Sequence, residues 1–362
     1  MAFVFVLFSI IAIASLSGQN KVFFADAVSP TEECDDNAYA SSSSSADDQA
    51  TSSSSYQAPA PYKAFETSQH KSAFSSNNNN NNHHAGHFGR VLDAGTGSES
   101  MRWLASLFDK SMIESFTAIT ADEIMHNRVT AQANELGIID KGQIIIGNWI
   151  DGVNKNTGML NFNSRRKKKN KDSTTILLHQ GEEAEQFDTI LVDYLIGAMD
   201  KFSPYFQDVI FERLNAHLRP GGRLLILGME PISDESNDGV AKITTDIKHA
   251  RDSCQLLAGE RPYREFPLSW IERTLAKVDG LTVVQRKIFP FKYTYEKLVE
   301  QIDLGRRRVK NFPSKELKAA MTEVLDELDA RSLKVTQGLK DGTFTSGFNY
   351  GIIVEKGKGS QS

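Results

Sequence analysis

From about residue 86 onward, apolar positions alternate between short continuous runs and stretches of helical spacing. Val91-Leu92 is a short apolar run ending on Asp93, and Met101 to Phe108 follows at helical spacing. Phe116 to Ile119 predicts a second strand, and Glu123 to Leu136 a helix closed by Gly137. Gln143 to Ile146 and Phe187 to Val192 are two further strands. Ser203-Pro204 reads as an N-cap with proline at the first helical position. The helix expected there runs from Tyr205 to Leu218, with Phe206, Val209, Ile210, Leu214 and Leu218 on one face. A Pro-Gly-Gly turn leads into a buried strand at Leu224 to Leu227. Helices are expected at Val240 to Ala258 and Leu268 to Ala276, and a strand at Leu281 to Phe289. Ser314 caps a helix through Leu333, striped by Leu317, Met321, Val324 and Leu328, and Phe344 to Val354 is a terminal strand. Strands alternating with helices predict an α/β fold: a mostly parallel seven-stranded sheet, helices on both faces, and an antiparallel edge strand, the last strand being compatible with an antiparallel edge hairpin.

The flanks break this rhythm and divide the 362 residues. Residues 3–16, FVFVLFSIIAIASL, are too short for a comfortable membrane span and fit the apolar core of a signal peptide. Ala25-Asp26-Ala27 offers a cleavage site, so 1–27 is expected to be a signal peptide, although no Lys or Arg precedes the apolar run. That address implies the secretory or endomembrane route, with a plastid as the alternative and an uncleaved anchor less favoured. No Asn-x-Ser/Thr sequon adds support. Residues 28–85 carry serine and asparagine tracts that cannot bury enough apolar surface to offset the entropy of ordering. They are expected to be a disordered linker, and 357–362 a disordered tail. The domain proper is therefore expected over 86–356. Within it, 152–186 reads as an inserted loop with six cations in the seven positions Arg165 to Lys171. A net charge of −5 does not call for nucleic acid. The two cysteines, Cys34 and Cys254, suggest no disulfide framework. His83, His84 and His87 lack the carboxylate or thiol neighbours of a metal site.

Chemistry concentrates at Gly89 to Ser100, GRVLDAGTGSES. Strand, acid, glycine turn and helix is how an open α/β sheet holds a nucleotide-like ligand at the carboxyl end of a strand. Glycine allows positive φ and carries no Cβ, so backbone can approach the ligand.

Together with ITAD at 119–122, GNW at 147–149, FDTILVDYL at 187–195 and LRPGGRLLILG at 218–228, this turn resembles the class I S-adenosylmethionine-dependent methyltransferases over roughly residues 86–355. The runs DYLIGAMDKFSPYFQ and GERPYREFPLSWI are similar to methyltransferase-like proteins of algae. The resemblance implies a Rossmann-like fold and S-adenosyl-L-methionine as cofactor. Asp93 distinguishes this ligand from the rival dinucleotide. A carboxylate two residues before the first glycine repels a pyrophosphate but accepts from a cationic amino group.

Position by position, the resemblance implies that Asp93, Ala94, Gly95, Thr96 and Gly97 line the methionine part. Glu99 stands where the family usually has a third glycine. At the end of the second strand the ribose hydroxyls normally meet an acid. Thr120 occupies that position and Asp122 lies two residues on, so Asp122 is the candidate, with an N-cap role as its alternative. Asn148 would accept from the adenine amino group, and Trp149 would stack on the ring or fill core. Asp151 is a further polar candidate. Asp193 and Tyr194 follow the fourth strand, where the methyl should meet the acceptor, and are the catalytic candidates for orienting or deprotonating it, Asp193 being a cofactor-contact candidate as well. Arg261, Tyr263 and Arg264 would fold over the acceptor or form surface ion pairs.

The expected activity is methyl transfer to oxygen or nitrogen of a small molecule. Two alternatives keep the fold: an aminopropyltransferase, and a non-catalytic binding protein.

Overall fold

The computed structural model describes residues 56–75 (backbone only from 70), 87–147, 149, 185–234 and 239–358, all within one compact unit. The expected signal peptide, most of the expected linker, the basic insertion, Asn148, Asp151 and residues 359–362 of the tail lie outside them.

Seven strands, β1 (Gly89–Asp93), β2 (Ile113–Thr120), β3 (Gly142–Ile146), β4 (Phe187–Asp193), β5 (Leu218–Met229), β6 (Leu281–Tyr293) and β7 (Phe344–Lys356), form one sheet. The order is β3-β2-β1-β4-β5-β7-β6. The pairings from β3 through β5 are parallel, and β7 runs antiparallel to both β5 and β6. This is a Rossmann-like, mostly parallel sheet with helices on both faces. The expected antiparallel edge is present as a pair of strands. β7 slots between β5 and β6, and β6 is the edge. It carries Arg286, Lys287, Pro290 and Lys292, the charges and proline that discourage further strand pairing.

Parallel strands covered on both faces need apolar side chains in succession, and these strands supply them. Leu92, Ile190, Val192, Leu224, Ile226 and Ile352 face α4 (Leu195–Phe202), α5 (Ile210–Ala216) and α7 (Leu268–Leu275). Val91, Leu191, Leu225, Leu227 and Ile353 face the other way, toward α1 (Ala60–Ser75), α2 (Ser98–Asp109) and α3 (Glu123–Glu135). A third cluster joins α6 (Lys242–Leu257), α8 (Tyr295–Val309) and α9 (Lys315–Gln337) to Phe291 and Tyr293 at the far end of β6. Among the described residues no helix is long and apolar enough to cross a membrane.

Helix α1 falls inside the expected disordered linker. Tyr62 and Phe65 are buried, and their rings lie 4.9 Å and 6.5 Å from that of Trp103 on α2. Glu66 accepts from Trp103 Nε1 at 3.0 Å and from Lys110 Nζ at 2.7 Å. Tertiary packing, not local composition, orders this segment. Two other helices escape the sequence reading: α4, which follows β4 directly, and α8. The helix expected at Tyr205 to Leu218 shortens to α5. Tyr205 adopts φ +71, outside the helical region, and Leu218 already belongs to β5.

Candidate active site

The site lies at the carboxyl ends of β1, β2 and β4, where the chain winds outward in two directions from β1 and β4. The Ala94 amide donates to the Leu191 carbonyl of β4 at 2.9 Å, and the Thr96 amide to the Ile119 carbonyl of β2 at 2.8 Å. Trp149 Nε1 donates to the Ala94 carbonyl at 2.9 Å, so the segment after β3 is fastened to the same turn. Ser100 Oγ accepts from the Gly97 amide at 3.0 Å and opens α2. Neither Gly95 nor Gly97 adopts positive φ. A Cβ at Gly95 would instead lie 2.9 Å from Leu195 Cδ1 and 3.3 Å from its Cβ, so a side chain there would have to displace that leucine.

Asp93 is fully buried at the end of β1. Neither of its carboxylate oxygens has a hydrogen-bond partner among the described residues. Burial pushes its carboxyl up to about 6. The Ser100 and Thr96 hydroxyls and the Gly95 amide temper that rise from nearby, although both hydroxyls donate to backbone, Ser100 to Gly97 and Thr96 to Asp93 itself. A buried carboxylate whose oxygens lack well-formed hydrogen bonds is costly, and Asp93 is such a group.

Asp193 ends the adjacent strand β4 and is also buried. Its Oδ2 accepts from the Tyr62 hydroxyl of α1 at 2.8 Å, and its Oδ1 has no partner among the described residues. Burial, with the neighbouring Asp93 charge second, raises its carboxyl to about 7, against the lowering effect of the Tyr62 hydrogen bond. Tyr194 adopts φ +47, and its amide donates a hydrogen bond to the Leu227 carbonyl at 3.1 Å. Burial first, and then the Asp193 charge, push its phenol well above the ordinary value. Glu99, buried in the first turn of α2, pairs with Arg102 at 3.0 Å. The Tyr56 hydroxyl is buried without a partner among the described residues, beside Glu99, Arg102 and Asp193.

The structure therefore brings Asp93, Gly95, Thr96, Trp149 and Asp193 together. Thr120 is buried and turns its hydroxyl to the Ile145 carbonyl at 3.3 Å, toward β3. Asp122 caps α3, with Oδ1 accepting from the Met125 amide at 2.8 Å. The late segment packs along α4: Arg261 reaches Asp200 at 3.7 Å, Tyr263 lies against Phe202, and the Arg264 amide donates to the Gly197 carbonyl. Tyr56 and Tyr62 are the site residues that sequence reasoning missed. The spacing of Ala58, Tyr62, Phe65 and Gln69, all buried, was the available signal. Among the described residues no group of three or more His, Cys, Asp or Glu is arranged to hold a metal ion.

No family model and no curated protein matches this sequence. Solved structures match it at low identity. An S-adenosylmethionine-dependent methyltransferase from Thiobacillus denitrificans, in complex with S-adenosyl-L-homocysteine, is 15% identical. It covers 84% of this chain and 95% of its own, with a TM-score of 0.40. One from Geobacter sulfurreducens, with the same ligand, is 16% identical over 83% of this chain and 94% of its own, with a TM-score of 0.38. The YjhP protein of E. coli is 14% identical over 89% and 99%, with a TM-score of 0.40. At these values they assign neither a residue role nor an activity to this chain.

Proposed function

We propose that this protein is an S-adenosyl-L-methionine-dependent methyltransferase acting on a small-molecule acceptor. The observation that carries the proposal is Asp93: a buried carboxylate with both oxygens unpartnered among the described residues, at the end of β1 beside a turn tied to β2 and β4. Such a group suits an ammonium and a nearby sulfonium, and it opposes the pyrophosphate of a dinucleotide. Asp93 would accept from the amino group of the cofactor, and the Gly95–Gly97 backbone would lie along its methionine part. The ribose would meet the Asp122 oxygen not used in capping α3. Asn148 would accept from the adenine amino group. Trp149, spent on Ala94 and core packing, would shape the wall.

When bound, the cofactor supplies an activated methyl group. This chain's part is placement: holding the acceptor in line with that methyl, at the end of β4 beside Asp193 and Tyr194. The paired acids Asp93 and Asp193 also favour a second reading, aminopropyl transfer from decarboxylated S-adenosylmethionine, which turnover with the two cofactors separates.

The test is thermal unfolding of the full chain with S-adenosyl-L-homocysteine. A ligand at about 100 times its Kd adds about 2.7 kcal/mol of unfolding free energy, so Tm should rise by several degrees. No shift at millimolar ligand would sink the proposal.

A further inference from the structure

A site already containing two unsatisfied acids constrains its second substrate by charge. This inference rests on the methyl-transfer reading above. The groups acting on or beside Asp193 are Asp93 from β1, Glu99 from α2, Tyr56 and Tyr62 from the amino-terminal side, and Tyr194 at the start of α4. Glu99 is paired with Arg102 at 3.0 Å, and its charge adds only the last of the effects on Asp193. The phenols are neutral. What remains is two carboxylates with three oxygens lacking partners among the described residues: both of Asp93 and Oδ1 of Asp193.

The cofactor brings one sulfonium, one ammonium and one carboxylate, a net charge of plus one. When both acids are ionised, as the cofactor's positive charges favour, one negative charge is left over at Asp193, which is buried. A neutral hydroxyl acceptor would leave that charge uncompensated, and an acidic acceptor would add to it. A protonated amine balances it.

We propose that the methyl acceptor is an amine, and that Asp193, held through Oδ2 by Tyr62, receives its proton on Oδ1. The step balances. Asp193 takes one proton from the entering ammonium and exposes the nitrogen lone pair. That pair forms the new N–C bond as the C–S bond breaks, its electrons passing to sulfur. The products are a neutral thioether, a protonated methylamine and a protonated Asp193, which returns its proton to solvent. Tyr62 touches neither reactant in this scheme. It is a positioning residue, fixing which carboxylate oxygen faces the acceptor.

The experiment uses the full chain with methyl-labelled S-adenosylmethionine and a panel of alkyl, aralkyl and hydroxylated amines, each matched to an alcohol and a carboxylic acid of the same skeleton. S-adenosyl-L-homocysteine binding is measured in parallel. Label should enter amines and leave the matched alcohols and acids at background. Asp193→Asn should lower transfer at least tenfold while changing S-adenosyl-L-homocysteine affinity by less than threefold. Tyr62→Phe removes a donor to the carboxylate, so the rising limb of its pH–rate profile should move up by about one unit, whereas a merely structural loss would lower the rate at every pH without moving the limb. Failure of S-adenosyl-L-homocysteine to bind would overturn the cofactor reading beneath the proposal. Binding of that product with no amine methylated above its matched alcohol would overturn the amine acceptor alone.

Discussion

Trp149 Nε1 donates to the carbonyl of Ala94 at 2.9 Å, locking the segment after β3 onto the turn that follows β1. The indole is buried, with 2% of its surface exposed, so the carbonyl has no bulk water to turn to. Trp149→Phe keeps an aromatic ring and removes the donor. It should cost about 1–3 kcal/mol in urea unfolding and weaken S-adenosyl-L-homocysteine binding, because the turn loses one of its fastenings. Unchanged affinity would mean that the turn holds its shape without Trp149.

The buried acids give stability a pH dependence opposite to that of an ordinary salt-bridged carboxylate. Asp93 is raised to about 6 and Asp193 to about 7, above the unfolded carboxylate value. Between pH ~4 and ~7 the folded chain therefore holds more protons than the unfolded one, and stability falls as pH rises. For Asp93 alone the loss is of order 3 kcal/mol, roughly two units at 1.36 kcal/mol each. Denaturation midpoints of the ligand-free chain should drop across this window, and Asp93→Asn should flatten much of the slope.

At Gly95 a methyl group would sit 2.9 Å from Leu195 Cδ1, inside contact distance. Gly95→Ala should cost about 1–3 kcal/mol through overpacking. Adding Leu195→Ala should recover part of the loss. A double-mutant cycle with no coupling would show that the clash relaxes elsewhere.

Phe65 fixes α1 to the domain: it is 2% exposed and packs beside Trp103. Phe65→Ala should cost about 3 kcal/mol. Since α1 also carries Tyr62, S-adenosyl-L-homocysteine binding should weaken in the same variant. Chemical denaturation and titration calorimetry on one preparation would show whether the two effects travel together.

Much of this architecture is legible from residue pattern because parallel strands buried on both faces advertise themselves. FDTILVD and RLLILG each place consecutive apolar residues on opposite faces of the sheet. The carboxyl end of β1 is legible for a different reason: an acid beside two glycines has few structural uses. Three features were hidden. The position of β7 depends on which partner an antiparallel strand chooses, and its own sequence does not encode that choice. Helix α1 is masked by its neighbours, since serine and asparagine tracts on both sides bury nothing and the four inward residues of the segment are easily averaged away. Asp122 illustrates the third limit. Its spacing from β2 serves ribose and helix cap equally, and the structure shows the cap, with Oδ1 on the Met125 amide.

The central claim is that Asp93 is an acceptor awaiting a cation. Titration calorimetry of S-adenosyl-L-homocysteine into the full chain and into Asp93→Asn, near pH 6.5 in buffers of different ionisation enthalpy, tests it directly. Binding to the full chain should release protons as the ligand's ammonium draws Asp93 into its ionised form, and Asp93→Asn should lower affinity at least tenfold and abolish most of that release. Equal affinity and equal proton release in the two proteins would contradict the claim.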